Sequence, residues 1–420
     1  LKKKKILRGS EALRFGAGST GGLITLENNR IAEETTISPY TEFQSQYNFQ
    51  NQGYLAGVLT EGSVGQWSLH FDGVKKSNND YVRPDGATQN YSSQQLSDFG
   101  FGATFHRDHS YTGISYGEYR NNYGVPSVEG SFIDLLQKRL DVVHVINNPI
   151  AGFSKLDLKY AYTNYQHTEF TNNGVASTKW NNTATEARLE LAHKELLGSK
   201  GILGVQFIGS NLNATDLSTN NYAIVPQTKS SSSALFLVEE GRYGPLKTSL
   251  GARYNYTSQN PNTSTQFPSA SSQDFVPTAY GPPSLQSRQF NLMSYSAGGL
   301  LDVAKGYGVG LAYTVSQRAP SAQELYSYGP HDSTATFDIG NSNLGIETSH
   351  NLELSIQKTL GLIRSKASIY RNQFSNFIYG FYTGAYSQAN ENFSVVQASQ
   401  ANATIQGAEA EITYNWNETG

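Results

Sequence analysis

The sequence predicts an all-β fold, a transmembrane antiparallel β-barrel, and three observations predict it. The first is a period of two. In "LKTSLGARYNY" the residues Leu246, Leu250, Ala252, Tyr254 and Tyr256 alternate with Lys247, Ser249, Arg253 and Asn255. "LDLKYAYT", "NLELSIQ" and "EAEITYNW" repeat the pattern, and one apolar face at period two marks a half-exposed strand. The second is length. Many alternating runs reach ten or more residues, whereas strands in globular sheets average about 5–6 and a tilted bilayer-spanning strand needs about 9–11. The third is the rhythm of the connections. Short links fall near 64–65, 107–110, 147–152, 195–200, 242–245, 304–306 and 360–361. Long ones lie mostly between them, near 78–94, 121–137, 171–179, 213–231, 259–286, 319–345 and 380–394. Barrels of outer membranes alternate short periplasmic turns with long external loops in this way.

Composition agrees. The 420 residues include 27 Tyr, 20 Phe and 40 Gly, with 37% hydrophobic and 15% charged residues. That is too aromatic for disorder. No run of about 18 apolar residues occurs, which excludes a spanning helix and says nothing against spanning strands. Net charge is −3, so no global basic field points to nucleic acid. With no cysteine, disulfide frameworks and thiolate metal sites are excluded.

Along the chain, the opening "LKKKKILRGS" has a basic run but no apolar region after it, so it does not read as a signal peptide. Next comes "FGAGSTGG", where Gly16, Gly18 and Gly21 match the spacing of a dinucleotide-binding turn. That turn must lead into a helix, but here it leads into the β-favouring Leu23-Ile24-Thr25-Leu26. The glycines are therefore read as backbone devices for tight turns and close packing. From about Thr41 onward about 16 strands follow. Tyr254 and Tyr256 end a strand at a long loop, while Tyr414 and Trp416 end one at a short turn, so both rims carry the rings of an interfacial girdle. The hydrolase, zinc-protease and Walker patterns are absent; an enzyme is not expected, and no cofactor is implied.

Three stretches then carry a family resemblance. "ILRGSEALRFGAGSTGGLITL" resembles the end of the plug domain of TonB-dependent outer-membrane receptors, with Ser10 where that family usually has Pro. "RAPSAQEL", followed by "GNSNLGIETSHNLELS", resembles a barrel segment of the family, and "IQGAEAEITY" a later strand. The resemblance implies a fragment. Residues 1–35 would be the C-terminal part of the plug, and residues 36–420 a partial barrel of about 16 of the 22 strands such receptors have. It also implies location in the outer membrane of a Gram-negative bacterium, contact with outer-membrane lipid, and energy supplied by an inner-membrane TonB complex. The imported small ligand would be a metal ion or metal chelate, or alternatively an iron siderophore or haem. "YRNNYGVP" and "GPHDSTATFD" look most like the zinc-uptake branch, but the loop "SVEGSFIDLLQKR" lacks that branch's histidines. Readings of other classes are a passive porin-like channel, a surface adhesin built on a barrel, and a secreted soluble all-β protein.

Site candidates follow from both lines. Arg8 resembles the plug arginine that barrel glutamates hold in the family. By parity Glu353 and Glu409 face inward, so the expected plug–barrel contact is Arg8 with both. His331 and Asp332 are an adjacent His–carboxylate pair on the external 319–345 loop and are the metal candidates; two ligands alone are too few for a zinc site. His167 and Glu169 rank behind them. Tyr326, Tyr328, Tyr379 and Tyr382, near loop bases, are candidates for stacking on a chelate or for the aromatic girdle.

Overall fold

The structure, a computed structural model, describes residues 3–7, 9–16, 22–35, 38–126, 130–264, 280–331, 333–387 and 393–416. Two short strands, β1 (Lys3–Leu7) and β2 (Leu23–Glu27), and a single helical turn, α1 (Ser10–Leu13), come first. Then follow β3 (Tyr40–Asn48), β4 (Gly53–Val64), β5 (Trp67–Asn78), β6 (Gln94–Arg107), β7 (Ser110–Val125), β8 (Ser131–Asn147) and β9 (Phe153–Thr171). The wall continues with β10 (Ala176–His193), β11 (Ser199–Asp216), β12 (Thr228–Tyr243), β13 (Leu246–Pro261), β14 (Arg288–Ala304) and β15 (Tyr307–Arg318). An insertion of α2 (Ala322–Tyr326), β16 (Tyr328–His331) and β17 (Thr336–Ile339) precedes β18 (Glu347–Lys358), β19 (Ile363–Ser387) and β20 (Phe393–Tyr414).

Each wall strand pairs antiparallel with the next, and β15 passes over the insertion to pair directly with β18. The barrel sheet counts 18 strands; without the two short ones of the insertion, 16 remain, as the periodicity predicts. Among the described residues no register joins β3 to β20, so the wall stays open between its first and last strands.

Alternation along each strand sorts side chains as expected of a barrel in lipid. On β13, Leu250, Tyr254 and Tyr256 are exposed on the outer face while Arg253 and Asn255 are buried within. Leu352, Leu354 and Ile356 of β18 are likewise exposed. A continuous apolar exterior of this kind needs lipid against it.

All seven short links lie where the sequence places them, between 65–66 and 359–362. Four long links are shorter than expected: 126–130 in place of 121–137, 172–175 in place of 171–179, 217–227 in place of 213–231, and 388–392 in place of 380–394. There the strands continue as paired hairpins past the apolar band. At that height one face packs under loops, with Ile133, Thr178 and Phe393 buried, and the other has left the apolar band, so the alternation fades although the backbone ladder persists to satisfy its own N–H and C=O groups.

The N-terminal segment lies inside the wall. β1 and β2 form a hairpin, and α1 packs against β12, β13 and β14. The wall makes room for it with small residues: a Cβ on Gly251 would sit 3.1 Å from side-chain atoms of both Leu13 and Ser10.

Candidate functional site

The insertion between β15 and β18 folds back over the long-loop mouth of the barrel. β17 pairs in parallel with β20, and the Tyr328 N–H donates to the Ile224 carbonyl at 2.7 Å, tying it also to the loop after β11. Beneath it is the molecule's main apolar cluster, in which Ile224, Val225, Leu325, Tyr326 and Leu344 are almost wholly buried. Most of the wall has lipid or lumen on its faces, so this cap is where a dry core is built.

The "RAPSAQEL" stretch forms the cap's root. Ser321 accepts the Glu324 N–H at 3.2 Å, and Glu324 accepts the Ser321 N–H at 2.7 Å, a reciprocal cap that starts α2. Arg318 then forks between two elements: one side reaches Glu324 of α2 at 2.9 Å, the other Glu347 of β18 at 2.9 Å. Glu347, nearly buried, also accepts the Ile378 N–H of β19 at 2.8 Å. One guanidinium thus joins the helical turn to the wall.

At the cap's far end the structure gathers residues that sequence spacing holds apart. His331 of β16 places Nδ1 at 3.0 Å from Asp338 Oδ2 and Nε2 at 3.5 Å from Glu169 Oε1. His167 Nε2 approaches the same Glu169 oxygen at 3.4 Å, and Tyr165 Oη lies 2.9 Å from His167 Nδ1. Ser333 donates to Glu169 at 3.3 Å. Trp180 stacks on His167 at 5.8 Å and tilts against His331 at 5.9 Å. Glu169 is 1% exposed. Burial alone would lower the His331 pKa, but hydrogen bonds and charge from Asp338 and Glu169 outweigh it and raise the value to about 10. A protonated imidazole has no lone pair to give a metal, so His331 in this arrangement serves as a cation. Among the described residues no group of three or more His and carboxylate side chains is arranged to hold a metal ion.

Of the other candidates, Arg8 and Asp332 lie outside the described residues. Glu353 pairs across to Tyr370, and Glu409 to Ser368, one two-residue step along the same strands; both face the lumen. Tyr326 is fully buried, its hydroxyl donating to the Gln286 carbonyl at 2.7 Å, so it holds up the cap. Tyr328 is buried edge-on to Phe337 at 5.2 Å, while Tyr379 and Tyr382 are exposed on β19.

Lower in the lumen is a clasp that sequence reading does not find. Arg188 of β10 donates to the Arg14 carbonyl at 2.7 Å, and Arg253 of β13 to the carbonyls of Leu13 and Arg14 at 3.3 and 3.1 Å. Arg14 in turn meets Glu190 at 3.0 Å, and Phe15 lies under the Arg188 guanidinium at 4.7 Å. Two cations therefore cap the carbonyl end of α1. A second anchor follows at Arg30, which forks onto Asp72 at 2.8 and 2.7 Å and reaches Asp98 at 3.3 Å. Beside it His70 bridges Glu61 and Asp72 at 2.7 and 2.8 Å. The one legible signal was parity, which turns Arg188, Glu190 and Arg253 inward; their partners are far away in sequence.

A wall with an apolar exterior, its own N-terminal segment held inside and a loop folded across one mouth defines a β-barrel of the outer-membrane type. The chain belongs to the TonB-dependent receptor family: residues 35–420 match the family model described as TonB dependent receptor-like, beta-barrel. Proteins of this family are transporters of the outer membrane. Among solved structures the chain is similar to the copper transporter OprC (TM-score 0.80, 14% identity, 99% of this chain and 64% of that one). It is similar to the Serratia marcescens hemophore receptor HasR, solved with its hemophore HasA and heme (TM-score 0.76, 12% identity, 98% of this chain and 67% of that one). It is also similar to the FrpB iron transporter of Neisseria meningitidis (TM-score 0.72, 12% identity, 98% of this chain and 65% of that one). The chain thus spans about two thirds of the length of these proteins.

Proposed function

We propose that the protein is a TonB-dependent receptor that imports a scarce nutrient across the outer membrane with energy from an inner-membrane TonB complex. Its residues 1–35 act as the end of the plug. The observation that carries this reading is the lumenal clasp, in which Arg188 and Arg253 grip the carbonyls of Leu13 and Arg14. A passive pore gains nothing from a segment held in its lumen by directional, charge-assisted bonds, whereas a gated transporter needs a stopper that stays seated until work is done on it.

For cargo we favour a metal chelate over a bare ion. His331 is held as a cation between carboxylates, and Tyr379 and Tyr382 stand exposed on the long β19 hairpin. Exposed rings near the mouth suit a planar or aromatic chelate, such as haem or a ferric siderophore. The names of the similar structures, a copper transporter, a hemophore receptor and an iron transporter, support a metal-bearing cargo in general.

The test is growth of a strain that lacks its own receptors and carries the full-length gene. It is starved and supplied in turn with zinc, ferric chelates or haem, with and without a protonophore. Rescue by a chelate that the protonophore abolishes supports the reading. Rescue that persists without the proton gradient returns the passive channel.

A further inference from the structure

The outer face of β8 to β13 is not a uniform apolar band: it carries a groove of about 660 Å³. The register shows how the groove is built. One continuous cross-strand row runs Tyr160, Ala187, Phe207, Ser233, Tyr256, one residue from each of β9 to β13. Rings and small residues alternate along it, and all five are exposed on the outside. Ala187 and Ser233 are therefore the floors of two slots, walled by rings on strands two spacings apart, about 10 Å. A slot of that width, lined with hydrocarbon and aromatic faces, fits one acyl chain lying along the strands.

Four residues further toward the long-loop side the chemistry changes, along a row that runs from β8 to β12. There the row reads Lys138, Asn164, Thr183, Asn211, Lys229. Four residues are about 13 Å along a strand, so this polar row stands at the top of the slots. Lys229 is exposed, and Lys138 lies only loosely against Glu118, at 3.9 Å. Lys229 above the Ser233 slot, with the Asn211 amide beside it, complements an anionic headgroup above its acyl chains.

We propose that this face is a specific seat for a phosphate-bearing membrane lipid, with chains over Ala187 and Ser233 and phosphate at Lys229 and the neighbouring Asn211 amide. The inference rests on the outer-membrane reading of the chain but not on its cargo, and its readout is independent of uptake.

The test uses the full-length receptor in mild detergent, delipidated and titrated with phosphatidate or with the diacylglycerol of the same chains, with bound lipid counted by native mass spectrometry. Folding of every variant is checked by heat-modifiable gel migration. The expected result is one retained phosphatidate, with diacylglycerol retained at least about fivefold less. Ala187→Trp combined with Ser233→Trp, which fills the slots at exposed positions, removes both lipids. Lys229→Glu removes only the preference for phosphatidate. Leu354→Trp on β18, a control on another part of the outer face, changes nothing. Equal retention by wild type and the slot-filled variant, or equal loss in the Leu354→Trp control, overturns the proposal.

Discussion

His331 Nδ1 lies 3.0 Å from Asp338 and its Nε2 3.5 Å from Glu169. One of these carboxylates belongs to the insertion's own hairpin, the other to the wall strand β9. The imidazolium is therefore a rivet between the loop that crosses the mouth and the barrel beneath it. Its strength comes from the burial of Glu169, whose charge would be only partly compensated without it.

Replacing His331 with Ala therefore leaves Glu169 with only His167 and Ser333 for company. The expected cost to cap docking is about 3–5 kcal/mol, the range for breaking one side of a buried pair. Limited proteolysis of the folded receptor measures it: cleavage within residues 319–346 accelerates strongly, while the barrel core stays intact. Glu169→Gln removes the buried charge together with the need for it and is expected to cost less. If both variants digest at the wild-type rate, the rivet contributes nothing.

The pH dependence of the same contact has a definite sign. The folded His331 pKa is raised to about 10 from an ordinary 6.5, so the proton is bound more tightly in the docked state. Its stabilisation is fully present below pH 6.5 and is lost as pH rises through about 10. Protection of the cap, followed by proteolysis or hydrogen exchange, is then greatest near pH 6 and falls steadily to about pH 10. His331→Gln flattens that slope. A profile that weakens as pH drops from 8 to 6 would falsify the assignment.

Arg318 gives a sharper test, because its two carboxylates do different work. Glu324 belongs to the helical cap of α2, and Glu347 also holds the Ile378 N–H of β19. Arg318→Lys keeps the charge but not the fork, so it is expected to preserve folding and loosen the cap. Arg318→Ala leaves Glu347 charged and nearly buried, at a cost of about 3–5 kcal/mol. The readouts are heat-modifiable migration for the barrel and proteolysis for the cap. Wild-type protection of the cap in Arg318→Lys would show that planar geometry is irrelevant there.

These contacts mark where the sequence was readable and where it was not. The β13 alternation of Leu250, Tyr254 and Tyr256 against Arg253 and Asn255 is a local signal, and the structure keeps it residue for residue. So is the capping pair Ser321 and Glu324, contained in a four-residue window. The external hairpin strands were not readable: between Asn121 and Gln137 the face that packs under loops mixes polar Asn121 and Ser131 with apolar Ile133, so period two has no apolar half to display. His331 was visible as a candidate, and so were His167 and Glu169, but as separate sites. Their union depends on a loop closing across 164 positions, between Ser333 and Glu169. Asp338 went unnoticed because nothing local distinguishes a partner that is seven residues away across a hairpin. The arginine clasp shows the same limit, since Arg253 reaches back 240 positions to Leu13.

The last prediction concerns the anchor at Arg30. Gly102 of β6 faces it so closely that a Cβ there would overlap the Arg30 carbonyl oxygen, which is backbone and has nowhere to move. At Gly100 and Gly117 the overlapping atoms belong instead to the Arg30 guanidinium end, which can swing aside. The three glycines thus rank by what they face. Gly102→Ala must push the segment at Arg30 off the wall and pull its fork from Asp72 and Asp98. Gly117→Ala should be accommodated by a shift of the side chain. A cysteine pair spanning the segment and β6, oxidised in the folded receptor, reads the difference: crosslinking falls sharply in Gly102→Ala and stays near wild type in Gly117→Ala, with barrel folding unchanged in both. Because the proposed uptake needs the plug to move while its connection to the wall holds, Gly102→Ala should also reduce transport more than ligand binding. Loss of both in equal measure would mean that the notch supports the binding site rather than the stopper.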